Sequence, residues 1–503
     1  MTIKSAAQYH DHSSYDRYKL GGHRLDWSNQ PRAFKEYAGV NPIPLPGDVR
    51  LPEKGLFHLF NEADQSEIPG EMTVEDLSGV LLMAYGLTAT ARYPEGDFYF
   101  RSAASAGALY PTEIYVASGG IKGLENGLYH FAVRPHGLHP LRAENVMGSL
   151  ASIIPSCASK ISMVTFFLTA IFFRSAWKYR DRAYRYHLLD TGHVAENLVL
   201  SLRALGLPCQ ATYDFDDEKA NRLLGLDPMK EVVLAAVAVL STLEPPAAGP
   251  AEFPALSERF TEAGRVSGRE VDYPAIREIH GAGIRIGMAS GPSPDMADAL
   301  GLSFQGTDRV LRTSDRPHVM GLGDVLFRRR SRRNFVKSPV QWEDMTALVE
   351  ALCAPEYRIS GSTPPWEQML CNGFLAVGVE GLVPGLYGID RKNKTYGLIQ
   401  PGEWGEMTAK ICLDQAWLKN AGVHFLFFSN PDVLDRAWGA RAYRHVMMSA
   451  GRLGERLYLA ATARGLGCCG IGAFYDLEAA ELLRLKKGGR LLYLVAVGVV
   501  KRI

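Results

Sequence analysis

The apolar positions of this chain follow a pattern that occurs twice. In the first half, Thr73–Ala84 carries helical spacing, and strand-like apolar runs follow. From Tyr184 to Leu205, Leu188, Val194, Leu198 and Leu202 recur near helical spacing, with Gly206 as a stop signal. The apolar run Ala235–Val239 closes this half as a buried strand. In the second half, Trp342–Leu352 predicts the first helix, Tyr443–Arg464 a long amphipathic one, and Val495–Val499 the closing strand. Helices mixed with strands, without regular βαβ alternation, predict an α+β sandwich rather than a doubly wound parallel sheet.

Residue identities make the repeat explicit. Arg182-Ala183-Tyr184-Arg185 returns as Arg441-Ala442-Tyr443-Arg444, an offset of 259 (441 − 182). The same offset pairs Gly192 with Gly451, Glu196 with Glu455, Gly206 with Gly465, and Leu223-Leu224 with Leu482-Leu483. Gly127-Leu128-Tyr129 matches Gly385-Leu386-Tyr387 at 258, and Ala235–Val239 matches Val495–Val499 at 260. An offset that drifts so little over more than a hundred residues identifies a tandem duplication. The domains expected are residues 1–245, a connector over 246–315, and residues 316–503. The Pro- and Ala-rich Leu243–Pro254 and the Gly-, Ser- and Pro-rich Ala289–Pro294 bracket a charged helical stretch, Tyr273–His280.

Composition narrows the class. The 503 residues are 47% hydrophobic and 22% charged, enough apolar material for large cores. A formal net charge of +1 makes no electrostatic case for nucleic acid or an anionic membrane as partner. The apolar run Ile161 to Phe173 is too short to span a bilayer and reads as a buried strand. Met1 to Tyr18 is polar and lacks the apolar core of a signal peptide. Seven cysteines without a CxxC pair fit a reducing cytoplasm, and Cys468-Cys469 read as small buried residues. His10-x-His12 lacks a third metal ligand and reads as part of a polar tail. Gly281-x-Gly283-x-x-x-Gly287 has the wrong spacing for a dinucleotide fingerprint and follows a helical stretch rather than a strand.

Three segments carry candidate chemistry. Phe327-Arg328-Arg329-Arg330-Ser331-Arg332-Arg333-Asn334-Phe335 places five arginines in six positions. Such a set supplies bidentate donors and a hydroxyl to a dianionic phosphate, or forms a solvated basic turn. Arg101-Ser102-Ala-Ala-Ser105-Ala106-Gly107-Ala108-Leu109-Tyr110-Pro111-Thr112-Glu113 is a run of small residues that lets backbone approach a flat ring. A plain loop-to-strand turn has the same composition. Lys178-Tyr179 precedes the long helix, as a proton-handling pair or as a snorkelling cap.

These stretches resemble one known family. Arg329-Arg330-Ser331-x-Arg333-x-Phe335 is similar to the phosphate-gripping motif of nitroreductase-family FMN domains. The Ser105–Glu113 stretch and Lys178-Tyr179-x-x-Arg182-Ala-Tyr184-Arg185 resemble SagB-type dehydrogenases, relatives that oxidise azolines to azoles. The resemblance implies two fused nitroreductase-like domains, each a mainly antiparallel sheet flanked by helices, forming an intramolecular pseudo-dimer. It implies FMN as cofactor, with NAD(P)H as a candidate electron donor. Arg329, Arg330, Ser331 and Arg333 would hold the phosphate and ribityl chain. Ser102, Ser105, Ala106, Gly107, Leu109 and Tyr110 would face the flavin from the first copy. Gly470, Ile471 and Gly472, with the terminal Lys501 and Arg502, would complete the site from the second copy. Lys178 and Tyr179 would carry the proton chemistry.

The losses are complementary. Copy one has Asn61-Glu62-Ala63-Asp64 near where copy two has its arginines. Copy two has Ser360–Trp366 in place of the Ser-Ala-Gly-Ala-Leu-Tyr-Pro stretch, and Ala437-Trp438 in place of Lys178-Tyr179. One composite FMN site per chain is therefore expected, in a monomeric pseudo-dimer or a homodimer. The function implied is oxidation of a small-molecule or peptide-derived substrate. NAD(P)H-dependent nitro or quinone reduction, and a non-catalytic flavin-binding scaffold, are the alternatives.

Overall fold

The computed structural model describes residues 2–22, 24–61, 72–93, 96–155, 161–240, 253–284, 294–302, 304, 309–310, 320–355 and 368–501. Its two halves are built alike. In the first, the strands are β1 (Ile43–Pro44), β2 (Leu87–Tyr93), β3 (Gly96–Arg101), β4 (Thr112–Ser118), β5 (Gly127–Ala132), β6 (Gly137–Arg142), β7 (Ile161–Ile171), β8 (Cys209–Thr212) and β9 (Glu231–Leu240). In the second they are β10 (Arg309–Val310), β11 (Cys371–Ala376), β12 (Gly385–Asp390), β13 (Thr395–Pro401), β14 (Val423–Ser429), β15 (Gly467–Ile471) and β16 (Arg490–Gly498).

The two seven-stranded sheets have the orders β1-β6-β5-β4-β7-β9-β8 and β10-β13-β12-β11-β14-β16-β15, one topology written twice. The pairs within both are antiparallel, so the α+β expectation holds. β2 and β3 form a separate hairpin in the first half. The apolar run from Ile161 is β7, a central strand with Val164–Ile171 buried throughout. Among the described residues no helix is long and apolar enough to cross a membrane.

Helix Val74–Tyr85 begins on a capping box in which Thr73 and Asp76 exchange hydrogen bonds. Its counterpart, Trp342–Cys353, starts with Glu343 and Asp344 in the first turn. The long helices are Ala183–Ala204 and Arg441–Ala463. They differ from the amphipathic expectation: Ala183–Leu202 and Arg441–Ala461 are buried on every side. Each lies between its own sheet and the other half's helix, so neither has a solvent face.

The two helices cross at their glycines. A Cβ on Gly192 would run into the carbonyl of Met448, and one on Gly451 into the carbonyl of Leu189. Only hydrogen fits where two backbones approach this closely. Around the crossing, Arg182 and Arg185 reach Asp476 of the second half, each at 2.6 Å. Arg441 and Arg444 reach Asp217 of the first, at 2.5 and 2.7 Å. The two locks are the same residues under the 259 offset. One apolar cluster spans both halves, from Leu77 and Leu198 to Leu453 and Leu494.

The N-terminus is more than a polar tail. Ser5 caps helix Ala6–His12, whose first amides bind the Asp435 carboxylate of the second half at 2.8 and 2.9 Å. His10 is fully buried, 3.0 Å from the Tyr443 hydroxyl. Burial and the nearby Arg185 lower its pKa to about 3, so it packs as a neutral ring.

Candidate functional site

Lys178 and Tyr179 lie at the end of helix Phe172–Tyr179. Phe172, Phe173, Ala176 and Trp177 anchor that helix in the core, and the Trp177 indole donates to the Asp26 carbonyl. Arg180 ends it, at φ 50. Lys178 is left half-buried. Burial, then the guanidinium of Arg333, push its ammonium pKa below the ordinary lysine value. Burial and Asp190 push the Tyr179 phenol upward.

The Ser105–Tyr110 turn packs directly on this pair. Gly107 has φ 66, and a Cβ there would meet the Tyr179 hydroxyl at 2.7 Å and Lys178 Nζ at 3.2 Å. Ala108 and Tyr110 also have positive φ, 54 and 49, which L residues adopt only when their surroundings impose it. Those surroundings are specific. Ser105 Oγ accepts the Tyr110 amide at 2.9 Å and donates to Asp190 at 2.6 Å. The Ala106 amide donates to Asp190 at 3.1 Å. The Arg101 amide donates to the Tyr110 hydroxyl, and Arg174 to the Tyr110 carbonyl. Leu109 is partly buried and packs against the cluster of Ile171, Phe173, Trp177 and Val266.

The arginine loop of the second half comes to the same seam. Arg329 is buried, donates to the carbonyls of Ser102 and Arg101 at 2.6 and 3.0 Å, and sits over the Tyr458 ring. Two of its donors thus fasten the loop to the first half. Arg330 donates to the Thr88 carbonyl, also of the first half. Burial and the neighbouring Arg329 lower its pKa. Arg333 lies 6.0 Å from the Trp417 ring and acts electrostatically on Lys178, Tyr179 and Cys469. Ser331 forms a bridge with Cys468, and its hydroxyl lies 2.9 Å from that of Tyr458.

Beside this loop runs β15. The Gly470 amide donates to the Tyr458 hydroxyl at 2.7 Å, and a Cβ on Gly470 would collide with the Tyr493 hydroxyl. A Cβ on Gly472 would stand 2.6 Å from the Tyr186 ring of the first half. Ile471 between them is buried. Lys501 follows β16, exposed, with its amide and carbonyl both bonded to Asn334 of the arginine loop. Arg502 lies outside the described residues. Cys468 and Cys469 are buried and free, their thiols pushed up by burial.

The seam therefore gathers Ser102, the Ser105–Tyr110 turn, Lys178 and Tyr179 from one half with Arg329, Arg330, Ser331, Arg333, Gly470 and Gly472 from the other. Among the described residues no carboxylate lies within ion-pair distance of Arg330 or Arg333. Cations that crowd one another without an acid suit a dianionic ligand. Ser102 Oγ is buried without a hydrogen-bond partner among the described residues. A phosphate and a flat ring with polar edges fit this donor set. The position equivalent to Arg329 in the first half is Asn61, which donates to Glu350 at 2.7 Å and supplies no cation. Ala437 and Trp438, opposite Lys178 and Tyr179, end helix Pro431–Trp438 and supply no amine or phenol. Residues 62–64 and 360–366, on which the remainder of the complementary loss was read, lie outside the described residues.

Four partners of the site escaped the sequence reading: Asp190, Tyr186, Tyr458 and Tyr493. They lie on elements read as core. One signal was available for Asp190, because the 259 offset places it opposite Ser449, a change of chemistry inside a matched helix.

A family model described as "Nitroreductase family" matches residues 72–239 and again 326–499. Trifolitoxin-processing protein TfxB of Rhizobium leguminosarum bv. trifolii is 31% identical over 223 residues. That match covers 42% of this chain and 59% of TfxB, so the chain spans less than two thirds of this relative. A nitroreductase candidate, MJ1384, from Methanocaldococcus jannaschii is 32% identical over 173 residues, 33% of this chain and 85% of that protein. Microcin B17-processing protein McbC of Escherichia coli is 28% identical over 129 residues, 24% of this chain and 47% of McbC. The crystal structure of a nitroreductase candidate from Anabaena variabilis superimposes with a TM-score of 0.77 at 27% identity, covering 99% of this chain and 100% of the other.

Proposed function

This chain belongs to the nitroreductase family, with two copies of the domain, and on that premise we propose that it is an FMN-dependent oxidoreductase with one composite site per chain. The substrate is a small molecule or a peptide-derived group, oxidised by hydride transfer. One observation carries the reading: the Lys178–Tyr179 pair and its Gly107 turn in the first half meet an arginine loop of the second in which Arg330 and Arg333 have no acidic partner among the described residues.

Arg330, Ser331 and Arg333 hold the phosphate and ribityl chain, while Arg329 fixes their loop to the first half. Gly470–Gly472 and the Ser102–Tyr110 stretch would line the ring, their small residues leaving backbone free to approach it. Lys501, whose backbone is bonded to Asn334 of the arginine loop, adds positive charge near the phosphate. Bound FMN supplies a two-electron hydride acceptor. Lys178 Nζ takes the proton that a substrate loses as its hydride departs. Its lowered pKa raises the fraction of neutral amine near pH 7, the form a base requires. Tyr179, held neutral by burial, relays or donates a proton through its hydroxyl.

Peptide-derived substrates gain support from the processing proteins TfxB and McbC, and reduction of a nitro acceptor from the likeness to MJ1384. The two are separated by assaying the purified protein with an azoline-bearing peptide under oxygen and with NADPH plus a nitroarene. Lys178→Ala should retain FMN and lose about 10²–10⁴-fold in oxidation of the azoline peptide. Collapse of flavin retention in that variant would make Lys178 a binding residue instead. Turnover of the nitroarene alone, indifferent to Lys178, would favour the reductase.

A further inference from the structure

Seven acidic side chains are buried among the described residues: Glu113, Asp190, Glu196, Asp217, Glu231, Glu455 and Asp476. Six have a cationic or imidazole partner. Glu113 pairs with Arg174, Glu196 with Arg452 and Arg456, Asp217 with Arg441 and Arg444. Glu231 pairs with Lys35, Glu455 with His193, and Asp476 with Arg182 and Arg185. Asp190 has no ion pair among the described residues. It holds only neutral donors, the Ser105 hydroxyl at 2.6 Å and the Ala106 amide at 3.1 Å.

A buried carboxylate without a cation destabilises the fold, since neutral donors replace only part of its lost hydration. The fold does not require an acid at this position. The matching residue of the second long helix is Ser449, and that half folds in the same topology. What distinguishes the first half here is the strained turn that Asp190 grips. Three of its residues have positive φ, and its Gly107 lies against Lys178 and Tyr179.

We propose that Asp190 is the positioning residue of the Lys178–Tyr179 pair, clamping Ser105 and Ala106 so that Gly107 seats the amine and the phenol. The assignment of a role to that pair rests on the function proposed above; the clamp itself rests on the geometry. Burial pushes Asp190 up to about 7. The titratable groups that act on it, or on which it acts, are Tyr85 from helix Val74–Tyr85, Tyr179 from helix Phe172–Tyr179, and Tyr493 from β16. Burial raises all three phenols, so they stay neutral through this range. The carboxylate accepts both donors, and the protonated acid accepts less well. The clamp tightens as pH rises through neutrality, in the range where the fold pays most for the charge.

The test is Asp190→Asn, followed by thermal unfolding against pH and by acetylation of Lys178 read by mass spectrometry; neither measurement needs flavin or substrate. At pH 8 the variant should melt about 2–4 °C higher than the parent, with the difference shrinking as pH falls below 7 and vanishing near pH 4, where the unfolded carboxyl is also protonated. In the same variant Lys178 should acetylate roughly fivefold faster at pH 8, and turnover with the azoline peptide should fall. A residue whose role is only structural would lower the melting temperature when replaced. Ser105→Ala, which keeps the charge and removes a donor, should speed Lys178 acetylation while lowering the melting temperature. An unchanged or lowered melting temperature in Asp190→Asn at pH 8, or unaltered Lys178 acetylation in both variants, would overturn the proposal. If purified protein binds no FMN while both shifts occur, the function proposed above fails and the clamp stands.

Discussion

Glu196 and Glu455 occupy matching positions on the two long helices and hold unlike partners. Glu196 accepts from Arg452 and Arg456 of the second half, at 2.8 and 2.7 Å. Glu455 accepts from His193, whose other ring nitrogen lies 3.0 Å from Tyr493, and Arg329 stands 3.8 Å away. The sequence pairs the glutamates, yet the identity of their partners depends on side chains arriving from the other half. Arg330 and Arg333, which have no such acid among the described residues, are the residues to test for anion binding. Replacing both with Ala should weaken FMN binding by about 10²-fold or more, since each removes a charge-assisted contact of roughly 1.5–3 kcal/mol. Fluorescence titration with free FMN measures it, and unchanged affinity would remove these arginines from the site. Under the proposed function the neutral amine of Lys178 is the working form, so the rate should rise with pH to a plateau through a pKa below the ordinary lysine value, an inflection that Lys178→Ala abolishes.

The elements that hold the halves together were half legible. Arg-Ala-Tyr-Arg announced the duplication, but one copy reads equally well as an extension of the Lys178-Tyr179 motif. In space both copies are locks, Arg182 and Arg185 on Asp476, Arg441 and Arg444 on Asp217. Helical spacing located the long helices to within about two residues at each end, yet wrongly gave them a solvent face. Periodicity cannot report that a second core covers the polar side. Asp476→Ala would leave Arg182 and Arg185 buried and uncompensated, a loss of about 3–5 kcal/mol visible as a lower melting temperature. The locks also set acid stability. The arginines hold Asp217 down to about 2, below its unfolded value of 3.8, so its contribution of about 2 kcal/mol is present above pH 4 and fades as pH falls toward 2. At the crossing, Gly192→Leu forces side-chain atoms into the Met448 carbonyl and should cost about 1–3 kcal/mol or separate the helices, read by thermal melting.

At the scale of the molecule, the duplication and the α+β class were legible because a near-constant offset survives divergence that erases most identities. The site was legible in its two motifs and opaque in their supports. Tyr186, Tyr458, Tyr493 and Asp190 sit on buried elements where aromatic and small polar residues carry no local signature. What the fold adds is the meeting of the motifs. β15 of the second half passes Tyr186 of the first, and the arginine loop is tied to the carbonyls of Ser102 and Thr88. The pseudo-symmetric frame repeats the same topology twice, and the residues proposed to bind and react sort into one seam of it. The direct measurement of that asymmetry is the amount of FMN released by denaturing the fully reconstituted protein, counted against protein concentration. One FMN per chain is the predicted result; two per chain, or none after saturation with free FMN, would contradict it.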